Sequence, residues 1–521
     1  MQLPLQKKSL LQKIIQVGSF TLLSRFFGII REGLQARYLG VGAMSDAFIT
    51  AFKIPNFFRK IFAEGALSAS FIPEFVKLIR DNKKDAACRF LTTAFLFFEG
   101  IVLLLTFLVF FFTTPLVKLI APGFSPEQVM LTAPYLKIVF PFLFFISSAA
   151  LLAGALQSIN HFIIPSAASV VLNIVYVSSL LLCHKYSLNP EYLCVGIVLG
   201  GFLNFVIHIW MYYRLGLYFA WFNKESFEHL KIMLQRFLPF LLGASIIEIN
   251  LFIDTSIGSY LPKGEITLLY YAMRYAQIPL GIFSIALSTV LLPYFSRIAL
   301  YAKNRFHFYL LEVSKLISWV IIPMMLFLMF TSRQIFALIM LKDRGTVEQI
   351  TKAGYLLVIL SSGLLIFSLH RSVINILYAL KDAWTPTWTT ILATTCNFIG
   401  NIIGFWYAGV YGIACSTVMS STISLIACLY VLHTKHKIYF AFKHYLQFLY
   451  GLSAQVALGV FLFLTCFYGI LMLCSKSWLH HAILHGQLYW VVTCPLFGMI
   501  MVMLFLLRKK FGITLYFVDF H

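Results

Sequence analysis

Several ionisable side chains lie inside apolar runs, where their charge is costly. Arg25, Arg31 and Glu32 interrupt SLLQKIIQVGSFTLLSRFFGIIREGLQARYLG, and Asp46, Lys53, Arg59, Lys60 and Glu64 follow around Pro55. Arg274 sits in LLYYAMRYAQIPLGIF, five residues before Pro279. A charge near the bilayer centre costs roughly 2.5–3.5 kcal/mol on insertion scales, so such residues face protein or water. On a helix, Arg25 and Glu32 return to nearly one face, while Arg31 is turned by about a third of a revolution. This spacing predicts a paired cation and carboxylate on one surface and an unpaired arginine on another. Asp46, Lys53 and Lys60 repeat at seven and share a face. Planar guanidinium forks suit phosphate and carboxylate, so Arg25, Arg31, Arg59 and Arg274 together imply an anionic, phosphate-bearing ligand in a cavity. The bland reading of each arginine is snorkelling to a headgroup or closure of a helix–helix ion pair.

Two acids stand apart in IIEINLFIDTSIGSYL: Glu248 and Asp254. A buried acid in a transporter serves as a cation site or a proton relay; an ion pair with Arg274 is the structural alternative for Asp254. Asp382, in ALKDAWTP, marks a cytoplasmic turn and helix start before Pro386. No G-x4-GK[ST], H-E-x-x-H or G-x-S-x-G sequence occurs, so neither ATP-driven transport nor hydrolytic chemistry is supported. The protein is not expected to be an enzyme. His480, His481 and His485 have a spacing that could bind a metal, but no Cys or carboxylate lies close by. The nine cysteines make no CxxC pair, which argues against a disulfide frame or a zinc site.

The elements that must position these side chains follow from composition. Of 521 residues, 60% are hydrophobic and 11% charged, and the mean hydropathy is +0.87. A soluble domain carries roughly 25% charged residues, so a soluble globule is excluded. Long unbroken apolar runs indicate an all-α polytopic membrane protein rather than a barrel of alternating strands. About fourteen spans are expected, near 10–35, 43–77, 88–115, 129–157, 162–184, 191–214, 228–260, 265–300, 307–331, 348–380, 385–408, 410–434, 446–474 and 486–508. The net charge of +21 would suggest nucleic acid in a soluble protein. Here most of it lies in short connectors, where it fixes topology and meets anionic lipid, and no nucleic-acid partner is expected. Lys77, Arg80, Lys83 and Lys84 follow the second span, Lys435, Lys437 and Lys443 the twelfth, and Arg508, Lys509 and Lys510 the last. The opposite connectors APGFSPEQ, SLNPEY and AGVYG carry no Lys or Arg, which predicts cytoplasmic termini. The basic N-terminus lacks a small-residue cleavage site and reads as retained. One connector, near 332–344 with Arg333, Lys342 and Arg344, runs against this pattern.

The chain repeats itself. Ala66-Leu67-Ser68, Ile72-Pro73 and Phe75 recur as Ala286-Leu287-Ser288, Leu292-Pro293 and Phe295, and Ile54-Pro55 recurs as Ile278-Pro279. The expected organisation is an N-terminal lobe at 1–222, a homologous lobe at 223–440, and two further helices at 441–521. Duplicated halves around a central cavity are usual in secondary transporters.

Residues 23–75, LSRFFGIIREGLQARYLGVGAMSDAFITAFKIPNFFRKIFAEGALSASFIPEF, closely resemble the MurJ/MviN family of lipid II flippases in the multidrug/oligosaccharidyl-lipid/polysaccharide exporter superfamily. YYAMRYAQIPLGIFSIALSTVLLPYFS (270–296) is a second match, and LYALKDAWTP (377–386) a weaker one. The resemblance implies two six-helix lobes, two C-terminal helices forming a groove for a polyprenyl tail, and alternating access. It implies that Arg25, Arg31, Arg59 and Arg274 hold a pyrophosphate, with Ser24, Asp46 and Glu64 at further important positions. Asp254 is similar to a sodium-ligand carboxylate of some members, so sodium is the one cofactor to consider. Met273 stands where the family commonly has an acid. The expected partners are undecaprenyl-pyrophosphate-linked peptidoglycan precursor and membrane lipids, for a monomer in the bacterial inner membrane that contacts the cell-wall synthesis machinery. Rival readings are a cation-coupled drug or lipid-linked oligosaccharide exporter, which calls for cavity carboxylates, and a non-transporting membrane scaffold.

Overall fold

The computed structural model describes residues 10–62, 66–81, 83–301, 305–340, 345–382, 384–473 and 488–519. Glu64, Cys474, His480, His481 and His485 lie outside the described residues. Among the described residues helices are the only regular structure. The first ten are α1 (Leu10–Leu39), α2 (Ala43–Phe62), α3 (Ala66–Arg80), α4 (Lys84–Phe111), α5 (Thr113–Ile120), α6 (Pro126–Val139), α7 (Phe142–Ser158), α8 (Ile163–Lys185), α9 (Pro190–Arg214) and α10 (Lys224–Gly258). Then come α11 (Glu265–Pro279), a π-helical turn Leu280–Ser284, α12 (Ile285–Tyr301), α13 (Phe306–Met340), α14 (Val347–Ser362), α15 (Leu364–Ala379), α16 (Trp384–Ala408), α17 (Val410–Thr434), α18 (Phe442–Leu473) and α19 (Leu488–Leu507).

These helices fall on the expected spans, with local differences. Among the described residues ten spans are long and apolar enough to cross a membrane by length and composition. The expected spans outside those ten are the first, second, seventh and eighth, which carry Arg25, Arg31, Arg59, Asp254 and Arg274. In the second span, Pro55 sits inside α2 and does not break it. The tenth span divides at Gly363 into α14 and α15. The ninth runs on to Met340, so Arg333 belongs to a helix rather than to a discordant loop. Capping boxes at Ser125/Gln128 and Thr346/Gln349 satisfy the first amides of α6 and α14, which explains why those two related helices start where they do.

The repeat is written in the backbone as well as in the sequence. Asn160 (φ 65°) ends α7 as Lys381 (φ 60°) ends α15, and Gly216 (φ 75°) follows α9 as Lys437 (φ 57°) follows α17. Three of these four positions are non-glycine residues, in a conformation that L side chains rarely adopt. In the second copy a π turn follows Pro279, where the sequence is four residues shorter than in the first. In both copies the packing recurs: α3 on α7 and α12 on α15, α8 on α9 and α16 on α17. Gly404 and Gly412 let α16 and α17 meet backbone to backbone, since a Cβ on Gly404 would lie 2.6 Å from Gly412.

By packing, the chain forms two compact units, one up to Thr267 and one from Leu268. The repeat places α10 with the later helices. In the structure it packs along α2, α3 and α4 of the first unit. The two C-terminal helices pack with the second unit, α18 lying on α13 and α19 on α18.

Candidate functional site

On α1, Glu32 meets the arginine that the spacing leaves unpaired. Its Oε1 lies 2.7 Å from Nη2 of the adjacent Arg31. The long arginine side chain folds back to its neighbour. Arg31 is therefore paired, contrary to what its turn on the helix predicts. Its Nη1 donates to Asn173 Oδ1 at 3.1 Å, and its guanidinium lies 5.2 Å from the Tyr176 ring centroid. Asn173 Nδ2 donates to Ser24 Oγ at 3.0 Å, and the Tyr176 hydroxyl donates to Gln35 at 2.8 Å. Helix α8 thus ties Ser24 and Arg31 into one polar cluster in the first unit. Arg25 is half-buried one residue from Ser24. Arg59 donates to Asn56 on its own helix at 3.0 Å.

The heptad Asp46, Lys53, Lys60 does form one face. Lys53 donates to Thr255 Oγ1 at 2.6 Å, and Lys60 pairs with Glu248 at 2.7 Å, so both lysines meet α10. Asp46, 1% exposed, accepts from the backbone N–H of Gly264 (2.5 Å) and Thr267 (2.9 Å) and from Thr267 Oγ1 (2.6 Å). It thereby caps the start of α11 from another helix, placing an anion on orphan N–H groups where the helix dipole favours it. Gly264, at φ 97°, supplies the turn this capping needs. Asp46 and Lys60 are fourteen residues apart, about 21 Å along α2, so the seam is long. Farther along, Glu74 of α3 meets His229 (2.8 Å) and Arg236 (3.6 Å) of α10.

In the second unit, Arg274 stacks 5.0 Å from the Tyr270 ring centroid on its own helix. Arg371 is a further deep arginine that the sequence reading passes over. It lies in LLIFSLHRSVINILYA of α15, is exposed, and carries the same signal as the others, a charge inside an apolar run. Asn173 had no such signal, because a lone amide in an apolar helix is unremarkable in sequence. Asp254 is buried on α10. Among the described residues no three or more His, Cys, Asp or Glu side chains come together as a metal cluster, so sodium there would depend on neutral oxygen ligands beside Asp254. Asp382 accepts from the Thr385 N–H and hydroxyl at the start of α16, as its sequence predicts. Burial alone would raise its pKa, but hydrogen bonds from Lys435, His436 and Thr385 outweigh it and hold the carboxyl below the ordinary range.

Helices α13, α18 and α19 form an open groove lined entirely by apolar side chains that include Phe327, Phe330, Phe463, Phe497 and Leu504. Gly459 keeps α18 close to α19, because a Cβ there would lie 2.8 Å from Leu504.

A repeated all-helical bundle with ionisable groups buried among its spans defines a polytopic helical membrane protein. In keeping with this, the fold is similar to a structure titled "Inward-facing conformation of a multidrug resistance MATE family transporter of the MOP superfamily" (TM-score 0.66, 14% identity, 80% of this chain and 96% of that one). It is also similar to "Lipid II flippase MurJ, inward closed conformation" (TM-score 0.77, 24% identity, 95% and 99%). The family model described as "Lipid II flippase MurJ" matches residues 35–489. The "Probable lipid II flippase MurJ" of Vibrio cholerae serotype O1 is 30% identical over 438 residues, 80% of this chain and 82% of that protein. The protein of the same description from Rhizobium tropici is 31% identical over 446 residues, 82% and 81%. The chain belongs to the lipid II flippase MurJ family.

Proposed function

We propose that this chain carries lipid-linked peptidoglycan precursor, lipid II, from the cytoplasmic to the periplasmic leaflet of the bacterial inner membrane by alternating access. Both termini are cytoplasmic in this reading. Arg25, Arg31, Arg59 and Arg274 hold the pyrophosphate through charge-assisted forks, with Ser24 beside them and Glu64 at a further polar position. The observation that carries the reading is the set of deep arginines on the helices of a MOP-type fold. Asn173 and Glu32 orient Arg31, as preorganised groups around a binding side chain do. The apolar groove between α13, α18 and α19 suits the polyprenyl tail. Asp46 serves the cycle by closing the seam at α11, since both of its carboxylate oxygens are engaged there. Asp254 is the residue assigned to a sodium ion.

A drug exporter selecting cations would use carboxylates as ligands. Here Glu32, Asp46 and Glu248 are engaged by the protein's own donors, which favours an anionic substrate. The test is depletion of the protein in cells followed by a leaflet assay for the lipid precursor. Accumulation in the cytoplasmic leaflet is expected; an unchanged distribution would refute the reading.

A further inference from the structure

A further acid inside the spans is not used by the function proposed above. Glu99 is near the middle of α4, in RFLTTAFLFFEGIVLLLTFL, and is 3% exposed. Its two carboxyl oxygens lie 2.8 and 3.0 Å from the hydroxyl of Ser147 on α7. Among the described residues no ion pair involves it. Ser148, the next residue of α7, is fully buried, and its hydroxyl has no hydrogen-bond partner among the described residues.

Helix register brings a third group to this level. A Cβ on Gly201 of α9 would meet Phe142 and Phe145 of α7, and the Phe145 ring packs on Phe202 and Phe205. Ser148 is three residues beyond Phe145 on that face, and His208 three residues beyond Phe205, so both belong to the α7–α9 interface. His208 is 2% exposed; its Nδ1 meets the Asn204 carbonyl at 2.8 Å and its Nε2 has no partner among the described residues. An acid and two hydroxyls thus lie between α4 and α7, and the imidazole lies on α9, the helix packed against α7.

The charged groups on neighbouring helices are engaged elsewhere or point outward. Glu74 of α3 meets His229 and Arg236 of α10, Lys60 of α2 meets Glu248, and Arg59 bonds Asn56. Lys118 of α5, and His184 and Lys185 of α8, are exposed. A buried carboxylate without a cation is costly, and neutralisation by a proton removes most of that cost. Acids and imidazoles in series are the usual material of intramembrane proton relays.

We propose that Glu99, with Ser147, Ser148 and His208, is a proton-binding site within the first unit, its carboxyl neutral in this conformation and releasing its proton when α4 and α7 part. The neutral acid donates to the Ser147 oxygen or accepts from its hydroxyl, and the Ser148–His208 pair offers the proton a route into α9. The site stands independently of the substrate read for the transporter.

The test is infrared spectroscopy of the full chain in detergent, following the C=O stretch of protonated carboxyls. A band present at neutral pH, lost at strongly alkaline pH and missing from Glu99→Gln is expected. Ser147→Ala, which keeps the acid, should move the band's frequency and keeps the test open if the first variant folds poorly. Because a protein that folds with a bound proton loses stability as pH rises, wild-type thermal stability should fall relative to Glu99→Gln towards alkaline pH. Three results would overturn the proposal: a band unchanged in Glu99→Gln, parallel stability profiles, or loss of the wild-type band on adding sodium, which would make this a metal site.

Discussion

Replacing Asp46 by Asn tests whether the α2–α11 contact is a closure that can open or a fixed part of the bundle. Asp46 accepts three hydrogen bonds, two of them from backbone N–H groups. Hydrogen bonds to a charged acceptor contribute about 1.5–3 kcal/mol each. Asn keeps one oxygen for Thr267 but turns an NH2 towards the Gly264 N–H, so one bond is lost and its donor is left unmet. The expected cost is about 1.5–3 kcal/mol, or roughly a 10- to 150-fold rise in the open population at 1.4 kcal/mol per decade. Thr267→Val removes only the hydroxyl donor and leaves no buried donor unmet, so it falls at the low end, about 1.5 kcal/mol or roughly 12-fold. Asp46→Ala removes all three bonds and should exceed Asp46→Asn. The readout is thiol labelling of Ser45→Cys, a position that is fully buried beside Asp46. Native Cys88, also fully buried, is the internal control. If opening precedes labelling, the rate follows the open population, rising in the order Thr267→Val, Asp46→Asn, Asp46→Ala while Cys88 stays protected. Equal rates in all variants, or parallel exposure of Cys88, would show that Asp46 supports the fold as a whole rather than a closure.

Other expectations follow from the same geometry. Arg→Ala at 25, 31, 59 or 274 should abolish complementation of a depleted strain with protein still in the membrane, and Arg→Lys should restore it only in part because the fork is lost; full activity of the Ala variants would make these charges structural. Wild-type thermal stability should rise with sodium and that of Asp254→Asn should not, whereas a loss at every sodium level would mark an ion pair instead. Asp382 has a folded-state pKa below its unfolded value of about 3.9, so its contribution is present above that pH and is lost as pH falls through the folded value. Asp382→Asn should therefore cost about 1–3 kcal/mol at neutral pH, with the half-exposed Lys435 adding little, and nothing at strongly acidic pH. A penalty equal at both pH values would mean that the charge is not what holds this corner.

The spans were legible from sequence because crossing a hydrocarbon core imposes length and apolarity locally, and because charge in the connectors biases orientation. The common face of Asp46, Lys53 and Lys60 was equally legible, since a helix fixes angles between its own residues. Arg371 and Glu99 were readable by the same rule, each being a charge inside an apolar run. Partners were a different matter. Spacing on α1 left Arg31 unpaired, but side-chain reach to Glu32 and the amide of Asn173, more than 140 residues away, engage it. Nothing near Asp46 announces that it caps a helix beginning at Glu265, and the repeat assigns α10 to the later helices although its Glu248 and Thr255 pair with α2. Local periodicity sets which way a side chain points along its own helix. Which helix stands opposite is set by the packing of the whole unit, and only there do buried polar groups find the donors and acceptors that offset their burial.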